Sequence, residues 1–189
     1  QDDLLAFQKG LGRTILFVSH DLDEAMKIGN RIAIMEGGAI VQEGDPETIV
    51  TEPANDYVAA FVGNLNPLNV LTAGSIMAPL DVLPEGDGGV VLDRYGRVRV
   101  HFANDGRVRD AFLDDAPIRS VPFTENPERH VLVRVHPETS LRQVVELRRK
   151  SGCPVLVEGD DQRIVGKVGE MQIYDGVLKQ LRRQPPVGW

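Results

Sequence analysis

The chain has 189 residues, of which 42% are hydrophobic, which is typical of one full globular domain or two small ones. Its 28 acidic and 21 basic side chains give a formal charge of −7, so nucleic acid is not expected as a partner. The single cysteine, Cys153, excludes an internal disulfide and fits a reducing compartment. No run approaches the roughly 20 apolar residues that span a bilayer.

The first elements predicted along the chain are a helix end, a strand and a second helix. The chain opens at Gln1 without a methionine or a targeting pattern, so we expect it to be a piece of a longer protein. Helical spacing before Gly10 predicts the last turns of a helix. Residues 13–18 (RTILFV) predict a strand buried on both faces of a parallel sheet. Asp21 is the expected cap of the helix that follows.

A hairpin and two short helices are predicted next. The pair Gly37-Gly38 divides two short apolar runs within residues 31–43, the pattern of a hairpin whose turn needs positive φ angles. Asp45 followed by Pro46 predicts a helix start, and a second helix is expected around residues 57–62. From Gly63 onwards turn residues without a sustained period predict a linker over residues 64–80.

The remainder is predicted as two α+β regions. Residues 81–129 alternate short β-like runs with turns, which indicates a small β-rich module. Residues 130–182 have the pattern of a β-α-β-β-α unit, and its first helix is expected to open at Ser140 and to end at Gly152. Residues 183–189 are left as a tail.

Five arginines of the β-rich module have two interpretations. They are Arg94, Arg97, Arg99, Arg107 and Arg109. They could contact anionic lipid head groups. Their alternation with valines favours solvated arginines on a half-exposed sheet. The histidines elsewhere lack the spacing of metal ligands, and no metal site is expected.

The segment from Thr14 to Ala25 (TILFVSHDLDEA) carries the most specific pattern, and it is followed in order by RIAIM, QEGDPE and EPANDYV. This order resembles the end of the nucleotide-binding domain in ABC importers of glycine betaine, proline and choline, over about residues 1–63. The resemblance implies that His20 is the switch histidine, a catalytic residue that hydrogen-bonds the γ-phosphate of ATP and positions the attacking water.

The residues around His20 allow two other interpretations. The first is a histidine whose hydrogen bonds are satisfied at a strand end. The second is a hydrolytic triad made of Ser19, His20 and Asp21, which consecutive residues cannot form because nucleophile, base and orienting group must face one another. Asp21 is expected only to cap its helix.

The resemblance also implies what the intact subunit contains. No Gly-x-x-x-x-Gly-Lys-[Ser/Thr] loop occurs in the chain. By the resemblance, that phosphate-binding loop (Walker A), the signature loop and the acidic catalytic pair (Walker B) precede Gln1. ATP and Mg²⁺ are therefore expected in the intact subunit, and neither ATP hydrolysis nor a cofactor is expected for the chain alone. The implied partners are a membrane permease, a substrate-binding protein and a second copy of the subunit, at the cytoplasmic face of the membrane.

The last third resembles a cystathionine-β-synthase-type (CBS) domain, through the segments PETSL, CPVLV and RIVGKV. Such domains are paired and many bind adenine nucleotides. The positions of the family's nucleotide site correspond to Gly166, Gly169 and Gln172, where its threonine or serine and its aspartate are replaced. Adenosine binding is therefore doubtful, and a structural or dimer-forming role is favoured. Residues 70–126 could be a decayed first repeat, with SIMAP as its entry segment.

The sequence thus predicts the C-terminal part of an α/β ABC nucleotide-binding domain followed by an α+β CBS-like region. The predicted function is transport-coupled ATP hydrolysis for osmolyte import. The alternative is a non-enzymatic regulatory or dimerisation module that does not hydrolyse ATP.

Overall fold

The computed structural model describes residues 14–63, 65–80 and 89–182, without the side chains of Asp23, Lys27, Gln180, Leu181 and Arg182. The helix predicted before Gly10 and the tail over residues 183–189 lie outside these ranges. The chain divides into two compact units, with residues up to Val70 and from Lys179 onwards in the first and residues 71–178 in the second. Both helices and several sheets are present, as the predicted α/β and α+β classes require.

The first unit is built from a hairpin and short helices. Its elements are α1 Leu22–Ile28, β1 Ile32–Glu36, β2 Ala39–Gly44, α2 Pro46–Thr51, α3 Asp56–Val62 and α4 Pro67–Val70. The predicted hairpin is confirmed, and Gly37 and Gly38 have φ angles of 58° and 83° at its turn. Ile34, Ile49 and Val58 are among the buried side chains that form the core.

The start of α2 follows the predicted capping pattern. The Asp45 carboxylate accepts hydrogen bonds from the Thr48 backbone N–H and from the Thr48 hydroxyl, both at 2.8 Å. Pro46 occupies the first turn, where its missing N–H leaves no helix hydrogen bond unmade. These bonds, the backbone bond first, lower the pKa of Asp45.

The Asp45 cap leads to a stability prediction with a defined pH dependence. Asp45→Ala should lower the free energy of unfolding by about 1 kcal/mol at neutral pH. Because the folded pKa is depressed, this stabilisation is present above the unfolded pKa and is lost as the pH falls through the folded pKa. Urea unfolding at several pH values measures the difference. Asp45→Asn, which caps without a titrating carboxyl, is the control. The difference in the free energy of unfolding between Asp45→Asn and Asp45→Ala should not vary with pH.

The strand predicted over residues 13–18 is wrong for its described part. Residues 14–19 have no regular structure, and four apolar side chains there are exposed, among them Leu16 at 90% and Val18 at 87%. A strand exists only when a neighbouring strand pairs with its backbone. Nothing among the described residues pairs with this segment, so its β-forming residues remain irregular and exposed.

The second unit contains two sheets. Its elements are α5 Ala73–Ile76, β3 Ala78–Pro79, β4 Val90–Val91, β5 Val98–Phe102, β6 Val108–Leu113, β7 Ala116–Ile118, β8 Ser120–Pro122, β9 Leu132–Val135, α6 Leu141–Ser151, β10 Val155–Glu158, β11 Ile164–Val168 and α7 Glu170–Arg182, which continues past Leu178. One sheet has the order β3-β11-β10-β9-β8 and the other is the antiparallel meander β4-β5-β6-β7. The chain leaves the five-stranded sheet at one edge and returns at the opposite edge after the meander.

The predicted β-α-β-β-α order is present as β9-α6-β10-β11-α7. Ser140 caps α6 by accepting the Gln143 backbone N–H, and Gly152 ends the helix at a φ of 74°. Strands β9 and β10 pair in parallel, as a crossover through α6 requires, whereas β10 and β11 are antiparallel. This order is shared with the CBS-type module, but it does not by itself identify one.

Two predictions made for residues 64–129 need correction. The linker predicted over 64–80 is divided, because α4 belongs to the first unit whereas α5 and β3 belong to the second. The decayed first CBS repeat suggested over residues 70–126 contains, in its described part, the one-turn helix α5 and otherwise strands and turns, so the second helix of a β-α-β-β-α unit is not seen there. The β-rich character of this module agrees with the prediction.

The arginines of the meander lie on its exposed side, as the favoured interpretation requires. In β5 the buried residues are Val98, Val100 and Phe102, and Arg99 lies between them on the other face. Four of the arginines make ion pairs, namely Arg97 with Asp114, Arg99 with Asp115, Arg107 with Asp105 and Arg109 with Asp110. Arg94 contacts the Tyr95 hydroxyl and ring instead. Lipid phosphates would therefore compete with aspartates already in place.

Candidate functional site

His20 lies in the loop that leads into α1, and neighbouring hydrogen bonds define that loop. Ser19 Oγ accepts the Asp21 backbone N–H at 3.0 Å and donates to a Glu24 carboxylate oxygen at 3.1 Å. Asp21 accepts the Glu24 backbone N–H at 3.0 Å and caps the helix, which confirms its predicted role. His20 is thus held between two residues that are tied to the first turn of α1.

The imidazole of His20 is exposed, and no described residue makes a hydrogen bond to it. An exposed imidazole can donate a hydrogen bond to a phosphate oxygen or accept one from water. The ring follows an irregular segment rather than a strand, so the predicted position at the end of a parallel strand is not observed. The role of His20 toward ATP remains a prediction.

The local geometry excludes the triad that was weighed for this segment. Ser19 directs its hydroxyl to Glu24, and Asp21 directs its carboxylate to the helix backbone. Neither contacts the imidazole, so the nucleophile, base and orienting group of a triad are not assembled.

The predicted nucleotide positions of the tail are occupied by the protein itself. Gly166 lies in β11 against Met77, and a Cβ at position 166 would be 2.5 Å from the Met77 sulfur and 3.0 Å from the Ala78 carbonyl oxygen. The absence of a side chain at Gly166 thus makes room for Met77 and for the adjacent strand β3.

Gly169 and Gln172 are also engaged locally. The Gln172 side-chain oxygen accepts the Gly169 backbone N–H at 3.0 Å, which satisfies a donor at the start of α7. A ribose hydroxyl at this place would have to compete for the same amide. The expectation that adenosine does not bind at these positions stays a prediction.

The packing at Gly166 predicts a defined loss of stability. Gly166→Ala should lower the free energy of unfolding by about 1 to 3 kcal/mol, because the new methyl group overlaps both a side chain and the backbone of β3. Denaturant unfolding measures the loss. In a Met77→Ala background the loss should shrink but persist, since the Ala78 carbonyl remains. An unchanged loss in that background would show that Met77 does not fill the site.

Lys167 is a residue that sequence reasoning did not single out. Its ammonium donates to the backbone oxygens of Val91 and Leu92 at 3.0 and 2.9 Å, which joins β11 to the end of β4. Burial lowers its pKa. No local pattern indicates this role, because its acceptors lie about 75 residues away in the sequence.

The described ranges contain neither a metal-binding cluster nor a membrane-spanning helix. No group of three or more His, Cys, Asp or Glu side chains there is arranged to hold a metal ion. Among the helices described, none combines the length and the apolar character needed to cross a membrane.

Comparison with known proteins gives relatives of one kind, although no family model matches the chain. The glycine betaine transport ATP-binding protein OpuAA of Bacillus subtilis (strain 168) is 52% identical over 77 residues, 41% of this chain and 18% of that protein. The glycine betaine/proline betaine transport system ATP-binding protein ProV of Escherichia coli (strain K12) is 51% identical over 76 residues, 40% of this chain and 19% of that protein.

A third relative matches over a greater length. The carnitine transport ATP-binding protein OpuCA of Listeria monocytogenes (serotype 1/2a, strain 10403S) is 30% identical over 202 aligned positions, 96% of this chain and 49% of that protein. The chain therefore spans at most about half the length of these relatives. These partial matches confirm the resemblance seen in the sequence: the chain is a relative of the ATP-binding subunits of ABC transporters for betaine, carnitine and other osmoprotectants.

Proposed function

We propose that this chain is the C-terminal part of a subunit that hydrolyses ATP to drive import of glycine betaine, choline or a proline-type osmolyte. The observation that carries the proposal is the exposed imidazole of His20 beside the capped start of α1, in the segment with the transporter pattern. The names of the similar proteins, which transport glycine betaine, proline betaine or carnitine, support the substrate class.

In this proposal His20 acts by positioning. A bound ATP supplies the phosphoanhydride bond whose hydrolysis releases free energy. The exposed imidazole would hydrogen-bond the terminal phosphate and orient water. The hydrogen bonds that Ser19 and Asp21 make to Glu24 in α1 would limit the movement of the loop that carries His20. Residues that hold Mg²⁺ and the other phosphates would belong to the rest of the intact subunit.

The proposed partners follow from this function. They are a permease in the membrane, a substrate-binding protein and a second copy of the subunit, and the place of action is the cytoplasmic face of the membrane. The test is ATP turnover by the intact subunit assembled with its permease. We expect the upstream reading frame to encode a phosphate-binding loop, a signature loop and an acidic catalytic pair. An upstream sequence without them would contradict the proposal and support a module without ATPase activity.

A second candidate function, dimerisation through the tail, is supported by the outer face of α7. Met171, Tyr174 and Leu178 are between 45% and 54% exposed and lie at spacings of three and four residues, which makes one apolar stripe. Exposed Asp175 and Lys179 flank it with opposite charges. An antiparallel pair of α7 helices from two copies would cover the stripe and bring opposite charges closer.

This candidate predicts that Tyr174→Asp reduces self-association at least about tenfold, because a buried aromatic contact is replaced by an unpaired charge. Sedimentation at several concentrations measures the dimer dissociation constant. Phe123→Asp, which makes the same kind of change at an exposed site away from α7, is the control and should leave the constant unchanged. A chain that is monomeric at every concentration would contradict this candidate.

A further inference from the structure

A cleft in the second unit has a composition that neither proposed function uses. It is open, has a volume of about 550 Å³ and lies between the ends of the meander and the turn that precedes β9. Volumes of this size are common for small-molecule sites, although this cleft has a more polar lining than most.

Basic side chains reach the cleft from three separate segments. Arg97 precedes β5, Arg119 lies between β7 and β8, and Arg129 and His130 precede β9. Three guanidinium groups face two carboxylates, those of Asp114 and Glu128, so the lining has one net positive charge with the imidazole neutral. The charge balance favours a ligand with a single negative charge.

Each of the two carboxylates forms an ion pair with one arginine. The Arg97 guanidinium donates two hydrogen bonds to the Asp114 carboxylate, one from Nε to Oδ1 at 2.9 Å and one from Nη2 to Oδ2 at 2.6 Å. Arg119 Nη2 donates to a Glu128 carboxylate oxygen at 2.7 Å. All four side chains are more than half exposed, so a ligand could displace either pair at small energetic cost.

Arg129 is the basic group without a counter-ion. No carboxylate of the described ranges pairs with it, although it lines the same cleft. A guanidinium presents a planar fork of donors that matches a carboxylate. Arg129 is therefore the arginine of the cleft that an oxyanion could bind without displacing a carboxylate of the described residues.

His130 beside it has an unusual backbone. Its φ is 60°, in the left-handed region that is uncommon for residues other than glycine. Its N–H donates to the Ser151 carbonyl at 2.7 Å, which fixes this conformation against the end of α6. Backbone conformations of this kind cluster at ligand sites, because the surrounding structure must hold them in place.

The rest of the lining is apolar. Leu113 and Ile118 are partly buried and pack against the core, and Val131, which is 4% exposed, also lines the cleft. None of the described residues that line it is Phe, Tyr or Trp, so it lacks the cage that a quaternary ammonium group requires. The lining thus suits an anion that carries a small apolar body.

We propose that this cleft binds a small monoanionic organic carboxylate, with the carboxylate on Arg129 and its apolar chain against Leu113, Ile118 and Val131. Neither proposed function contains this site. Because the cleft lies far along the chain from His20, loss of ligand binding and loss of ATP turnover are separate results.

The test is a titration of the ¹⁵N-labelled 189-residue chain, followed through its backbone amide resonances. Hexanoate should produce saturable shifts confined to residues 113–119 and 128–131. The neutral isostere hexanamide should produce none, and inorganic phosphate should bind more weakly than hexanoate. Arg129→Gln should weaken hexanoate binding about tenfold, the effect of one charge-assisted hydrogen bond.

Arg149→Gln is the matched control, because it removes the same charge at an exposed site on α6 that does not line the cleft. It should leave hexanoate affinity unchanged. The proposal is overturned if hexanoate produces no saturable shifts in the cleft, or if hexanamide binds equally well. It is also overturned if phosphate binds more tightly, or if Arg149→Gln weakens binding as much as Arg129→Gln.

Discussion

Replacing His20 by alanine in the intact subunit should reduce osmolyte-stimulated ATP turnover at least about 100-fold, the effect expected when one group that stabilises and positions a reacting phosphate is removed. The imidazole is exposed and no described residue hydrogen-bonds to it, so the change should remove its chemistry without disturbing a packed core. Asp21 would still cap α1, which keeps the local backbone in place. ATP turnover in proteoliposomes with the permease and binding protein measures the effect.

The control for this variant is His136→Ala. His136 is another surface histidine, whose Nε2 lies 2.9 Å from an Asp160 carboxylate oxygen in the second unit. Its loss removes one exposed pair and should leave turnover within about twofold of the unchanged subunit. Near-normal turnover in His20→Ala would contradict the site assignment. A His20→Ala subunit that still binds ATP while turnover is lost would place the effect on the chemical step.

Leu156→Ala should lower the free energy of unfolding of the second unit by about 2 to 5 kcal/mol. Leu156 lies in β10, the central strand of the five-stranded sheet, and is 0% exposed. It packs in a cluster with residues of the meander, among them Val98 and Val100. Truncation would leave a cavity between the two sheets, which these close-packed neighbours can fill only in part.

Chemical denaturation followed by circular dichroism measures this loss. Leu16→Ala removes the same atoms from a side chain that is 90% exposed and should change the free energy of unfolding by less than about 0.5 kcal/mol. A loss at Leu156 no larger than at Leu16 would show that the two sheets do not share this core. The loss is large compared with the total stability of a domain, about 5 to 15 kcal/mol.

Local signals in the sequence were the most informative. The caps at Asp21, Asp45 and Ser140, the glycine turn of the hairpin and the glycine end of α6 all occur where the sequence indicates them. Each depends on hydrogen bonds or backbone angles within about four residues, so the sequence contains both partners of the interaction.

The strand predicted for segment 14–18 is the local prediction that failed. Its β-forming residues indicate a strand, but a strand needs a neighbour, and the hydrophobic pattern does not say whether one is present. The switch position of His20 was inferred from that strand and from the resemblance. The structure supports the capping around His20 but does not place the ring at a strand end.

The sequence by itself determined the caps, the turns, the order of elements in the tail and the kinship with the transporter subunits, because these depend on neighbouring residues and ordered motifs. Tertiary structure alone decided that Met77 packs against Gly166, that Asp114 and Asp115 pair with Arg97 and Arg99, and that Arg129 and His130 share a cleft with Arg97. Each of these depends on residues distant in the chain that meet only when the sheets form. The choice among many possible distant neighbours is made by the packing of the whole unit.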